Sequence, residues 1–162
     1  MTSNIQIKRA NYTDTQEAAD LKALLNDYAK DPMGGGHAMD PETLDSLPSK
    51  LADLPSAFSI LAYVDGKPAG LTNCFFGFST FAAKPLVNIH DVTVRPEFRG
   101  LGLSKKMLAK VEAIAQENGC CKLTLEVLSN NTVAMKAYQS LGFAGYELDP
   151  EAGHAVFCQK KL

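Results

Sequence analysis

Apolar and polar positions change period several times along this chain, and each change marks an element. Residues 4–10, NIQIKRA, alternate and predict a short strand. Residues 14–30, DTQEAADLKALLNDYAK, switch to helical spacing. Leu21, Leu24, Leu25 and Tyr28 share one apolar face there, and Asp14 or Thr13 can cap the start. DPMGGGHAMD then breaks the rhythm, and its three consecutive glycines predict a mobile loop. Residues 41–55, PETLDSLPSKLADLP, predict one or two short helical pieces interrupted at Pro48.

From Ala57 the texture becomes that of strands. AFSILAYV, the turn DGKP and AGLTNCFFGFSTF predict a β-hairpin, and PLVNIHDVTV (85–94) predicts a further strand. Residues 103–119 return to helical spacing and end on glycine, with Leu103, Met107, Leu108, Val111 and Ile114 on the apolar face. CKLTLEVL (121–128) predicts a strand and NTVAMKAYQSLG (131–142) a helix. FAGYEL and HAVFCQKKL predict two last strands joined by DPEAG. The order is β-α-α-β-β-β-α-β-α-β-β, with no repeat, linker or low-complexity segment. A length of 162 residues fits one domain spanning 1–162.

Composition narrows the class. Lysine plus arginine number 16 and aspartate plus glutamate 18, a formal charge of −2, which gives no general pull toward nucleic acid or an anionic membrane. No run approaches the ~20 apolar residues of a membrane span. The start, MTSNIQIKRA, lacks a signal peptide's apolar stretch. Cys74, Cys120, Cys121 and Cys158 form no C-x-x-C pair, so neither a disulfide framework nor a zinc site is indicated. Reduced, mostly buried thiols in a cytoplasm are the expectation.

One joint between elements carries chemistry. In RPEFRGLGLSKKML, starting at Arg95, a strand ends, a glycine turn follows and a helix opens. Backbone N–H groups of such a turn face one concavity, and the helix N-terminus adds its positive dipole end. Gly100 and Gly102 put no Cβ in the way of a ligand, and Arg99 and Lys105 offer charge-assisted contacts. A pyrophosphate fits this description. The string is neither G-x-x-x-x-G-K-[ST] nor G-x-G-x-x-G, since Lys105 stands where the last glycine belongs.

Arg99, Gly102 and Ser104 do match [Q/R]-x-x-G-x-[G/A], with serine for the last small residue. With N-x-x-A-x-x-x-Y-x-x-x-G-F beginning at Asn131, the chain resembles the GNAT superfamily of acyl-CoA-dependent N-acyltransferases over nearly its whole length. The resemblance implies an α/β (α+β) fold, with a mixed, mostly antiparallel sheet of about six to seven strands, splayed in the middle and flanked by about four helices. It implies acetyl-CoA as co-substrate and no metal. Val92, Thr93 and Val94 would lend backbone hydrogen bonds to the pantetheine arm. Arg99, Gly100, Leu101, Gly102, Leu103, Ser104 and Lys105 would hold the pyrophosphate. The Ser104 hydroxyl would reach a phosphate or cap the helix, and Asn131 would bond the cofactor arm.

Acyl transfer to an amine requires a base for the ammonium, a donor for the developing oxyanion and an acid for the departing thiolate. Tyr138 matches the family tyrosine and is the candidate acid. His90 and Asp91, on opposite faces of one strand by alternation, are candidate bases, with Glu126 on the next strand or a water chain as alternatives. The resemblance places acceptor choice in the N-terminal half, where Asp31, Asp40, Glu42 and Asp45 would suit a cationic amine but read more readily as ordinary solvated charges. The aromatics of FFGFSTF read as core more readily than as pocket. The expected function is transfer of acetyl from acetyl-CoA to a primary amine of a small molecule. A protein amine and a non-catalytic acyl-CoA-binding module are the alternatives. The last strands offer a homodimer edge.

Overall fold

In a computed structural model, residues 2–146 and 149–162 are described. The chain divides into two units, residues up to 128 and residues 129–162. In the first unit the order is β1 (Ile5–Arg9), α1 (Thr15–Lys30), α2 (Pro41–Ala52), β2 (Ala57–Val64), β3 (Lys67–Ser79), β4 (Lys84–Val94), α3 (Leu103–Glu117) and β5 (Leu123–Leu125). The sheet runs in the order β1-β2-β3-β4-β5, antiparallel through β4, with β5 parallel to β4. Among the described residues it is a mixed sheet of 5 strands, fewer than expected. With the four α-helices, its α/β class and its mainly antiparallel character are those the sequence implied.

Both faces of this sheet are covered, so β2 is buried at nearly every position and does not alternate. One face carries α1 and α2. Leu21, Leu24 and Leu51 meet Ala57, Leu61 and Leu71 there, with Phe75 packed alongside. The other face carries α3, whose Leu103, Met107, Leu108, Val111 and Ile114 are all buried, as their spacing predicts. Full burial of one such side chain stabilises by about 1.5–3 kcal/mol. Gly70 marks how close α3 comes. A Cβ at this position would lie 3.0 Å from Met107 Cε and 3.1 Å from the Thr93 carbonyl oxygen.

Four details differ from the sequence reading. First, α2 runs unbroken through Pro48. Asp40 caps its start and Pro41 opens it, while Leu47 and Leu51 pack on the core from either side of the proline, so burial outweighs one missing N–H. Second, the glycine loop is a hydrogen-bonded closure of α1. Gly34 and Gly36 N–H donate to the Asp31 carbonyl, His37 N–H to that of Ala29, and Met39 N–H to Asn26 Oδ1. Third, β5 is confined to three residues because its pairing with β4 stops at Ile89 and Leu125. Fourth, only Cys74 of the four thiols is buried.

The second unit holds α4 (Thr132–Ser140) and a 3-10 turn at Pro150–Ala152. Among its described residues there is no strand. HAVFCQKKL is irregular, and of FAGYEL, Glu147 and Leu148 lie outside the described residues while 143–146 are not strand. Alternation alone makes no strand, since a ladder needs a partner edge.

Candidate active site

β4 supplies the centre of the site. Along most of its length it pairs regularly with β3, but Asn73 faces Asp91 while Cys74 faces Ile89, leaving His90 as the extra residue of a β-bulge. The bulge cancels one step of the alternation. His90 meets Phe75 edge-on with ring centroids 5.5 Å apart, and Asp91 Oδ2 accepts from Asn73 Nδ2 at 3.0 Å. Asn73 and Phe75 share one face of β3, two residues apart. His90 and Asp91 therefore both lie on the face covered by α1 and α2, and not on opposite faces. His90 is exposed and Asp91 is half-buried.

The C-terminal half of α1 walls this face. Asp27, Tyr28 and Asp31 line a cleft of about 390 Å³ with Thr93, Arg95 and Arg99. Arg95 ties the wall down: its Nε and its terminal nitrogen approach Asp27 Oδ2 at 2.9 and 2.8 Å, and its other terminal nitrogen donates to the Pro68 carbonyl at 3.0 Å. Burial raises the Tyr28 phenol above its ordinary range, and the charges of Asp91 and Asp31 push it the same way, so it is protonated at neutral pH. Of the four acids that would suit a cation, three have structural partners. Asp31 accepts from Met33 N–H, Asp40 from Thr43 N–H, and Asp45 pairs with Lys22 at 2.9 Å, while Glu42 stands in the first turn of α2.

Past Val94 the chain makes a 3-10 turn at Pro96–Phe98 and reaches the glycine turn. Gly100 and Gly102 have φ of +84° and +71°, in the left-handed region that favours glycine. A Cβ at either position would meet nothing within 4 Å, so the space beside the turn is open. Gly102 is the N-cap of α3, no side chain caps that end, and no acid stands in its first turn. Ser104 therefore does not cap the helix. An uncapped helix start behind two glycines is the donor set a pyrophosphate needs, and Arg99 and Lys105 add cations. These residues fit the diphosphate end of acetyl-CoA.

The same strand offers the place for the arm. β4 continues through Val92, Thr93 and Val94 after β5 has ended at Leu125, so no strand pairs with that edge of residues 90–94 among the described residues. The pairing stops where the resemblance implies a splay. Glu126 lies just beyond the end of β5, not on the strand itself, and is exposed.

Asn131 and Tyr138 lie in the second unit. Asn131 is the N-cap of α4, its Oδ1 accepting from Ala134 N–H at 3.2 Å. Tyr138, half-buried on that helix, meets Phe143 edge-on at 6.0 Å.

The sequence reading passed over Tyr12, Ser59 and Asn73. Tyr12 Oη lies 2.8 Å from Ser59 Oγ, Ser59 Oγ donates to Asn73 Oδ1 at 2.6 Å, and Asn73 continues to Asp91. The signal was a polar residue in the apolar middle of AFSILAYV and of GLTNCFF. Among the described residues no group of three or more His, Cys, Asp or Glu is arranged to hold a metal, and no helix is long and apolar enough to cross a membrane.

Residues 21–143 match the sequence model of the acetyltransferase (GNAT) family. A thialysine N-epsilon-acetyltransferase from Bos taurus is 38% identical over 68 residues, covering 42% of this chain and 39% of that protein. The chain thus spans about two fifths of the length of that curated relative. The aminoglycoside N(6')-acetyltransferase type 1 of Salmonella typhimurium is 27% identical over 129 residues, covering 78% of this chain and 83% of its own. Among solved structures, an aminoglycoside N-acetyltransferase in complex with CoA aligns with a TM-score of 0.77 at 21% identity, over 100% of this chain and 98% of that one. A transcriptional regulator from Bacillus halodurans C-125 aligns at 0.80 with 18% identity, over 98% of this chain and 100% of that one. These structural likenesses show the fold.

Proposed function

The chain belongs to the acetyltransferase (GNAT) family, and from that membership we propose an N-acetyltransferase that moves acetyl from acetyl-CoA to a primary amine of a small molecule by direct attack. The observation that carries the reading is the uncapped start of α3 behind Gly100 and Gly102, next to an edge of β4 that no strand pairs among the described residues. The relatives' names, with thialysine and aminoglycosides as acceptors, support a small amine.

Acetyl-CoA supplies the thioester whose C–S bond breaks as the acceptor's C–N bond forms. The α3 N-terminus, Arg99 and Lys105 hold its diphosphate, and backbone groups of Val92, Thr93 and Val94 hold its arm. Asn131 contributes its amide NH2 to that arm. Asp91, on the same face of the sheet as α1, takes the proton from the acceptor ammonium and leaves a neutral amine to attack. Among the three candidate bases Asp91 is favoured because it is half-buried and held by Asn73, whereas His90 and Glu126 are exposed. Tyr138 gives its phenolic proton to the departing thiolate.

Thermal titration with acetyl-CoA, against ATP and NAD as controls, tests the co-substrate. Thiol release with a panel of polyamines, lysine analogues and aminoglycosides tests the reaction. Tyr138→Phe and Asp91→Asn should each lower kcat by about 10²–10⁴. A folded native chain that binds no acetyl-CoA overturns the reading. We place the protein in a cytoplasm, as its four unbridged thiols support, which cell fractionation tests. We also propose a homodimer, supported by the exposure of Val156 and Phe157. Sedimentation should give twice the monomer mass, falling to the monomer in Phe157→Asp.

A further inference from the structure

Two ion pairs join the end of α1 to the chain that follows β4, and they differ in kind. Asp27 meets Arg95 at 2.8 and 2.9 Å, and Arg95 also donates to the Pro68 carbonyl at 3.0 Å. Asp31, one helical turn on, meets Arg99 at only 3.9 Å. The first pair fixes the wall of the cleft. The second is loose, with 60% of the arginine side chain and 38% of the aspartate side chain exposed. Each partner of the loose pair has a second anchor that leaves its charge available. Asp31 Oδ1 accepts from Met33 N–H at 2.9 Å, while Oδ2 is the oxygen toward Arg99. Arg99 Nε donates to the Val94 carbonyl at 3.3 Å, which leaves its terminal nitrogens for charged partners.

We propose that Asp31 binds a cationic group of the acceptor and that Arg99 holds this carboxylate until acetyl-CoA arrives, so that the two substrates bind with positive coupling. The inference rests on the reading of the glycine turn as the diphosphate site. Asp31 and Arg99 both line the cleft. A diphosphate takes a guanidinium through two-pronged hydrogen bonds of about 2.7–2.9 Å, which a pair at 3.9 Å does not match. Arg99 then turns to the diphosphate, and Asp31 Oδ2 is left on the cleft without its cation. Asp31 is also the C-cap of α1, and the negative end of a helix favours a cation there. Asp27 is not released in this way, because two nitrogens of Arg95 hold one of its oxygens.

The coupling follows because the same pair must open for either substrate. Acetyl-CoA alone draws Arg99 away from Asp31, and the acceptor alone draws Asp31 away from Arg99. With both bound the pair is broken once and not twice, so each substrate tightens the other by the same factor. The size of that factor follows the worth of an exposed ion pair, which corresponds to about two- to five-fold. A second effect has the same sign. The bare guanidinium of Arg99 repels a cation in the cleft, and the diphosphate neutralises it. Glu97 lines the same cleft in the 3-10 turn before Arg99 and takes no part in the pair, so it serves as a control carboxylate.

The test is calorimetric and uses CoA, which has no acetyl group to transfer. Its Kd is measured alone and with spermidine, lysine or kanamycin in excess, in the native chain, Asp31→Asn, Arg99→Ala and Glu97→Gln. At least one of these cations should lower the Kd of CoA by about two- to five-fold in the native chain. The factor should fall close to one in Asp31→Asn and in Arg99→Ala, and persist in Glu97→Gln. Without CoA the first two variants should part. Arg99→Ala frees the carboxylate and tightens the cation, whereas Asp31→Asn removes the carboxylate and weakens it, a split that general damage to the cleft would not produce. A native factor close to one for all three cations overturns the inference, and so does a native factor that survives in Asp31→Asn. A folded native chain that does not bind CoA overturns the reading of the glycine turn, and the inference with it.

Discussion

Arg99 is held in two directions at once. Its Nε donates to the Val94 carbonyl at 3.3 Å, and a terminal nitrogen lies 3.9 Å from an Asp31 oxygen at the end of α1. A diphosphate on the glycine turn would compete with Asp31 for the same guanidinium. The pair is long and its arginine side chain is 60% exposed, so it contributes at the low end for surface pairs, about 0.5 kcal/mol. Asp31→Asn keeps an oxygen to accept from Met33 N–H and gives up the charge. It should tighten acetyl-CoA binding by about two-fold, while Arg99→Ala should weaken it by about ten-fold. Calorimetric titration of both variants checks the pair. An Asp31→Asn chain that binds acetyl-CoA more weakly than the native one would mean that Asp31 supports the turn and does not compete with it.

Elements show which parts of this molecule a sequence can reveal. The face of α3 was legible position by position, because a helix packed on one sheet repeats its burial every turn. So was the glycine turn, whose φ values demand the residues found there. The bulge at His90 was not legible, because it depends on how β4 registers with β3 and not on anything local to β4. The chain from Tyr12 to Asp91 was hidden for the same reason, with partners 47, 14 and 18 residues apart. The acids of 31–45 are ambiguous in sequence, since a capping aspartate and a substrate-binding one look alike in one dimension. Asp40 makes the distinction testable. Its carboxyl is held below the ordinary value of 3.8, first by the Thr43 N–H and then by the Thr43 hydroxyl. A carboxyl lowered in the folded state stabilises fully above its unfolded value, and that contribution fades as pH falls through the folded value. Asp40→Ala should lower the Tm at pH 7, and the deficit should shrink steadily once the pH drops below 3.8. Melting curves of the two chains across that window decide it; a deficit independent of pH would assign the cap to geometry alone.

At the scale of the whole molecule, a covered sheet is combined with a stretch of edge that no strand pairs among the described residues. Among the described residues the fully buried apolar side chains lie between Leu21 and Ala115, on both faces of β2, β3 and β4. Backbone donors and acceptors in such a sheet are normally paired, and leaving a run unpaired costs stability that a bound ligand can restore. Acetyl-CoA binding should therefore act locally on exchange and globally on melting. At a ligand concentration near 100 times Kd the folded state gains about 2.7 kcal/mol. For a chain of this size that corresponds to a Tm rise of about 5–10 °C. Hydrogen exchange should slow at residues 90–94 and at the first turn of α3, where donors await partners. The β1–β2 ladder, already closed by Ile5–Arg9 against Ile60–Val64, should keep its rates apart from the uniform gain in global stability. A Tm rise with no added protection along 90–94 would place the arm of the co-substrate elsewhere. The splay would then be a feature of packing, and the turn at Gly100–Gly102 would have to account for the whole affinity.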